Sequence, residues 1–521
     1  MGMLPFSMQA NPHRARAGLR GRVGALALGV LLASSALAQE PSDEGRPRGI
    51  LLIAVDGLRA DHLGSFGYDR DTTTHLDALA AEGTTFTQAF TSSPLPVPSY
   101  VALFSGCEPL LARRVLPDVE ATDEQRWNIP DELPRLAVEF LAAGYNTTAF
   151  VDDQALQSAF GFSAGFQSYL LTADNERGAE KQTTRVLQWI RGRKRDKRWF
   201  AVMHLNDLER CWFVPNLETE TYYQPRVGAG FIPAVSSAND AFFAIPHDRW
   251  RGSRTLGQYE AIYDGHLRRV DQALGRLFTG LRASKLLDET IVCVVGTYGV
   301  QFGEAGLYLR AGRYSMADLH VPWILRVPRR WNAEVETTGN RIDALASLLD
   351  VGPTLVDLAG LPSPIGMQGI SQAKYVFPPG EGEPPEGTTR TEAYASCGLQ
   401  EGVTVIDWSR YCLEFLVPDR TLSSLMRRSW FGEDRLGEVQ STVRFYDRSV
   451  DPHPPLGIAL PSPPPPEFDE MRTRATRWLE NVTLARQVLQ ENLLFHERVD
   501  EATVERLKAE GWLGRKVGTG E

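Results

Sequence analysis

Asp56 ends a continuous apolar run, Gly49-Ile-Leu-Leu-Ile-Ala-Val55, and opens the turn Asp56-Gly57-Leu58-Arg59-Ala60-Asp61. A carboxylate at the carboxyl end of a buried strand lies where open α/β sheets hold ligands. Its plainer role is to cap the turn that follows. A second stretch with chemical potential is Ser92-Ser93-Pro94-Leu95-Pro96-Val97-Pro98-Ser99-Tyr100-Val101-Ala102-Leu103-Phe104-Ser105-Gly106. Alternating prolines, then Ser99 and an apolar run, read as a loop entering a helix with Ser99 as N-cap. Free N–H groups at such a helix start attract anions. Ser99 and Ser93 carry hydroxyls that become nucleophiles only beside a base. Among the nine histidines, only His204 falls at the end of a site strand, in Trp199-Phe-Ala-Val-Met-His-Leu205. A lone His in that place more often completes a core than meets a ligand.

Short apolar runs at 49–55, 145–151, 199–205 and 290–295 read as buried parallel strands. Between them, Leu76, Leu79 and Ala80 share one helix face that stops at Gly83, and Leu136 to Gly144 is a second apolar-faced helix. Tyr263 to Leu287 predicts one long helix, with Leu267, Val270, Leu274 and Leu277 at helical spacing. From Cys211 to Gly252 the chain turns to Pro, Gly and aromatics, including Tyr222-Tyr223 and Phe242-Phe243. That insertion either lines a ligand groove or packs itself down.

At 521 residues, 43% hydrophobic and 23% charged, the chain can bury a large core and suggests two subdomains. A net charge of −10 with interspersed signs argues against nucleic acid and anionic membrane surfaces as partners. Residues 1–38 read as a signal peptide: Arg14, Arg16, Arg20 and Arg22, an apolar run from Val23 to Ala38, and Ala36-Leu37-Ala38 for cleavage. The run is short of the roughly 20 residues of a membrane span, although an uncleaved anchor is the alternative. No Cys follows it to take a lipid, and no later stretch resembles a membrane span. The expected location is periplasmic or secreted. Five cysteines show no metal-site spacing. Cys293 reads as a buried hydrophobe, whereas Cys397 and Cys412, flanking a strand pair, predict a disulfide in an oxidising compartment.

The stretch from Ser92 to Gly106 resembles the signature of the sulfatase family, within the alkaline phosphatase superfamily: Cys/Ser-x-Pro-Ser-Arg-x-x-Leu-x-Ser/Thr-Gly. Pro98, Ser99, Leu103, Ser105 and Gly106 fit that frame. Pro96 stands where the family keeps the Cys or Ser that is oxidised to formylglycine, and Tyr100 where it keeps Arg. The resemblance continues through Asp56, the family's first cation-binding Asp, with Gly57 at the second position. Asp152 and Gln154 replace the Lys and His that touch the sulfate, and Asp152 with Asp153 would repel an anion there unless the loop lies elsewhere. His204 and Asp207 match His-x-x-Asp-Pro-His, but Glu209 takes the place of the second His, and the resemblance makes His204, Asp207 and Tyr100 the substrate-binding candidates. Registered on Phe302-Gly-Glu-Ala-Gly306, the Asp and His or Asn that complete the cation site become Thr297 and Tyr298, and a later His becomes Ala305. His266 replaces a Glu on the long helix, while 320–328 and 343–362 resemble the closing strand and helix.

The resemblance implies an α/β fold with a mostly parallel central sheet flanked by helices, and a smaller C-terminal antiparallel sheet with helices. The expected division is signal 1–38, linker 39–47, sulfatase-like domain 48–377, small subdomain 388–450, proline-rich linker 451–467 and C-terminal helices 468–521. Two readings of function follow. In the first, the protein is an exported pseudoenzyme acting in binding or regulation, with no catalytic residue and no cofactor. Its ligand is a glycan, another sulfated or anionic molecule, or a partner protein, and Asp56 is a metal-site remnant. In the second, a sulfate or phosphate ester hydrolase has rebuilt its site around Ser99, with one calcium or magnesium ion at Asp56. A structural subunit beside a true sulfatase is a third possibility.

Overall fold

The computed structural model describes residues 46–113, 129–172, 178–194, 196–211, 222–226, 255–302, 315–328, 339–376, 389–396, 402–407, 411–416, 442–448, 464–489 and 501–509. In chain order the main elements are β1 (Gly49–Asp56), α1 (Thr74–Ala81), β2 (Thr84–Phe90), α2 (Pro96–Ser105), α3 (Leu136–Ala142) and β3 (Asn146–Val151). They continue through β4 (Ser168–Leu171), α4 (Ala179–Arg191), β5 (Trp199–Leu205), α5 (Leu256–Ala283) and β6 (Thr290–Tyr298). Next come β7 (Trp323–Arg326), β8 (Asn340–Ser347), α6 (Val351–Leu358), β9 (Glu392–Ser396), β10 (Gly402–Asp407), β11 (Tyr411–Leu416) and β12 (Thr442–Asp447). Two helices follow, α7 (Pro466–Leu489) and α8 (Glu501–Ala509).

Eight strands make one sheet in the order β4-β3-β5-β1-β6-β7-β2-β8, and only β7 runs against its neighbours. β1 lies inside it, parallel to β5 and β6, and all eight of its residues are buried. That explains its unbroken apolar run, since both faces are covered. Alternate residues serve opposite layers. Ile50, Leu52 and Ala54 share a core with side chains of α2, α3, α6 and α7, whereas Leu51, Ile53 and Val55 share another with α1, α4 and α5. The expected fold class is what the chain adopts.

The long helix starts at Leu256, ahead of the expected Tyr263, because Thr255 and Gln258 form a reciprocal capping box. Leu267, Val270, Leu274 and Leu277 are all buried on it, as their spacing predicts. α2 differs from expectation in the other sense. It begins at Pro96 with Leu95 at the cap position, so Ser99 lies inside the helix and is not its N-cap. Pro96 at the first helical position costs no hydrogen bond, because that N–H has no partner in any helix.

The small sheet, β12-β11-β10-β9, is antiparallel throughout. α7 packs against it and into the main core: Tyr394 of β9 stacks on Trp478 at 5.1 Å, and Met471, Leu479 and Val482 join the cluster that holds Ile50. Cys412 is buried on β11, while Cys397 of the expected disulfide lies outside the described residues, as do the signal segment, Phe242-Phe243 and Ala305. No helix among the described residues is long and apolar enough to cross a membrane.

Candidate functional site

Three parallel strands bring the site together. Register pairs Ala54 of β1 with His204 of β5, and a bulge between Val55 and Asp56 sets Asp56 opposite Tyr298 of β6. The carboxyl ends of β1, β5 and β6 therefore meet where α2 begins. At their centre Asp56 is 1% exposed. Its Oδ1 accepts hydrogen bonds from Tyr100 Oη at 2.8 Å and Thr297 Oγ1 at 2.5 Å, and its Oδ2 faces His204 Nε2 at 2.9 Å.

The His204 tautomer follows from its other nitrogen. Nδ1 accepts the backbone N–H of Asp152 at 3.0 Å, so the proton of the neutral ring sits on Nε2 and is donated to Asp56. Burial lowers the imidazole pKa, but the Asp56 carboxylate and its hydrogen bond more than offset this, and the direction is upward. A second proton would have to sit on Nδ1, pointing at the Asp152 N–H. Tyr100 and Tyr298 are held well above the usual phenol range, first by burial and then by Asp56, so both remain protonated donors. Burial, then Asp56, raises the Glu209 carboxyl to about 7 despite the facing Tyr298 hydroxyl. The buried Tyr298 Oη lies outside good hydrogen-bond geometry with any described partner.

The acids expected to repel an anion point elsewhere. Asp152 Oδ2 accepts the Gly178 N–H at 3.0 Å and its Oδ1 the Gln182 side-chain amide at 3.2 Å. Asp207 Oδ1 takes the Ala179 N–H at 3.1 Å, and burial raises its pKa to about 6. The two carboxylates thus cap the N-terminus of α4 from outside that helix. Asp153 binds the Ala155 N–H and the Asn206 amide. Asp207 accordingly does not join Asp56, whereas His204 and Tyr100 do. Ser99 is fully buried, and its hydroxyl donates toward Leu95 O at 2.7 Å and Ser93 O at 2.8 Å, with Thr91 Oγ1 at 3.2 Å. Those contacts spend its hydrogen on the backbone, and no His is among its partners. Gln182 escaped the sequence reading, whereas the turn at Gly57 did not. The buried spacing Ala179, Val186 and Ile190, with Gln182 and Thr183 between them, is the signal that would have exposed α4.

The residues present do not fit the divalent cation that the resemblance implies. A hard cation wants about six or more oxygen lone pairs, several of them anionic. Here the three atoms that face Asp56 are hydrogen-bond donors, and the neighbouring position is Gly57 at φ +73°. A Cβ there would sit 3.2 Å from Glu209 N and 3.3 Å from Leu208 Cβ. Among the described residues, no group of three or more His, Cys, Asp or Glu is placed to hold a metal ion.

Comparison with known proteins bears on the scaffold around this site. The sulfatase family profile matches residues 48–361. An arylsulfatase of Clostridium perfringens is 23% identical over 381 residues, spanning 62% of this chain and 77% of its own. N-sulphoglucosamine sulphohydrolase of Homo sapiens is 23% identical over 484 residues, spanning 83% and 90%. Among solved structures, the phosphonate monoester hydrolase of Agrobacterium radiobacter aligns with a TM-score of 0.58 at 19% identity, covering 78% of this chain and 90% of that one. A 2-O GAG sulfatase aligns at 0.59 and 17% identity, covering 89% and 96%. Those two alignments speak for the fold alone. With the profile running from β1 through α6, the chain belongs to the sulfatase family.

Proposed function

We propose that this chain is a non-hydrolytic member of the family, exported after cleavage behind Ala38, that binds a sulfated or otherwise anionic saccharide without turning it over. The observation that carries the reading is the residue at the start of α2. Pro96 has no side-chain heteroatom, and the neighbouring Ser99 hydroxyl is committed to backbone carbonyls. Charge points the same way. After burial, Asp56 and Asp153 add to the rise of the Glu209 carboxyl, and Tyr100 stands where a cation would meet developing negative charge. A saccharide ligand is supported by a relative whose name describes a sulfated sugar, the N-sulphoglucosamine sulphohydrolase.

Purified mature protein should give no release of sulfate or phosphate from aryl sulfate, phosphonate monoester or glycosaminoglycan substrates above a Ser99→Ala, Asp56→Ala double variant. Calorimetry with sulfated oligosaccharides should show binding that their desulfated forms lack. Turnover well above that control would replace this reading with a rebuilt hydrolase. Binding by neither saccharide, with no turnover, would leave a structural role beside another protein.

A further inference from the structure

The donors around Asp56 permit a stronger statement than the loss of a cation. Three donors reach its oxygens, each from an element different from its own. Tyr100 reaches it from α2, Thr297 from β6 and His204 from β5, all three fully buried. His204 is in turn fixed by the Asp152 N–H at the end of β3, and the Tyr100 ring lies edge-on to it at 5.0 Å. A buried carboxylate needs compensation, and charge-assisted hydrogen bonds from well-placed donors supply it. A divalent ion would supply the same compensation, but it would have to displace these three hydrogens and find anionic ligands that Thr297 and Tyr298 cannot be.

We infer that Asp56, Tyr100, Thr297 and His204 form a hydrogen-bonded hub that takes over the structural work of a cation, joining α2, β1, β5 and β6 so that the folded protein is independent of metal. This rests on the non-hydrolytic reading and assigns Tyr100 and His204 as positioning residues for Asp56.

The test uses the full mature chain. Its melting temperature should be unmoved by excess EDTA or by added calcium or magnesium. Tyr100→Phe and Thr297→Ala should each lower it by about 2–4 °C, again without response to cations. The ¹⁵N spectrum of His204 should show the Nε2–H tautomer at neutral pH. A melting temperature that falls with EDTA, rises with either cation, or is untouched in Tyr100→Phe would overturn the hub, as would an Nδ1–H signal. Should the variants fail to fold, the wild-type chelation and tautomer measurements still decide. The two readings fail separately. Chelator-insensitive turnover would sink the non-hydrolytic reading and leave the hub, whereas a chelator-sensitive fold without turnover would do the reverse.

Discussion

At the scale of single residues, supplying a thiol at position 96 leaves the rest of the site as it is. Pro96→Cys, with or without co-expressed formylglycine-generating enzyme, should therefore hydrolyse no aryl sulfate. Groups that stabilise developing charge are worth on the order of 10²–10³ in rate each, and here Tyr100 and Glu209 stand in the cationic places. Sulfate release by this variant above the Pro96→Ala level would show that the nucleophile was the chief deficit. Gly57 poses a second obstacle. Its φ of +73° and the proximity of Glu209 N make Gly57→Asp strained, with an expected loss of about 1–3 kcal/mol in urea unfolding. An unchanged midpoint and slope would mean that the turn relaxes. Pro96 could be read directly from the sequence, since a missing heteroatom needs no structure to be noticed. Gly57 could not, because its constraint comes from Leu208 and Glu209, some 150 residues along the chain.

Elements explain why other acids misled. Asp152 reads as an anion-repelling residue only if its loop faces the cleft. Instead it takes an N–H from the start of α4 and the amide of Gln182 within that helix. Asp152→Ala leaves both donors buried without that acceptor and should cost about 2–3 kcal/mol, measured by denaturant unfolding. A loss no larger than that of a typical surface substitution, about 0.5 kcal/mol, would show that water replaces the carboxylate. The strands were legible because burial on both faces leaves an unbroken apolar signature, as in β1, β5 and β6. α4 was not, since polar Gln182 and Thr183 interrupt its buried face. His204 shows the limit most clearly. Its place at the end of β5 was visible, but its bond to Asp56 depends on strand register, which composition does not encode.

Across the whole molecule, the C-terminal helices and the α/β layer meet over Glu108. This residue is 5% exposed, accepts Trp478 Nε1 at 3.3 Å through Oε1, and has no partner for its buried Oε2 among the described residues. Burial raises its carboxyl to about 7 from an ordinary 4.5, with Asp350 adding to the rise and Arg390, itself paired to Asp350, opposing it. The folded state therefore keeps a proton that the unfolded state gives up above about pH 4.5. Stability should fall as pH climbs from there to about 7, by on the order of 3 kcal/mol, and level off beyond. Glu108→Gln should flatten that slope in urea titrations across the same window. An unaltered slope would place the pH dependence elsewhere.

That shared core also sets an order in time. Ile50 of β1 and Val482 of α7 belong to one buried cluster, as does Leu507 of α8. The cluster that holds this face of β1 is therefore complete only once helices more than 400 residues further along the chain have docked on it. Until they do, the part of that core contributed by Met471, Leu479, Val482 and Leu507 is missing and apolar surface stays exposed, the kind of surface that aggregates or is held by chaperones.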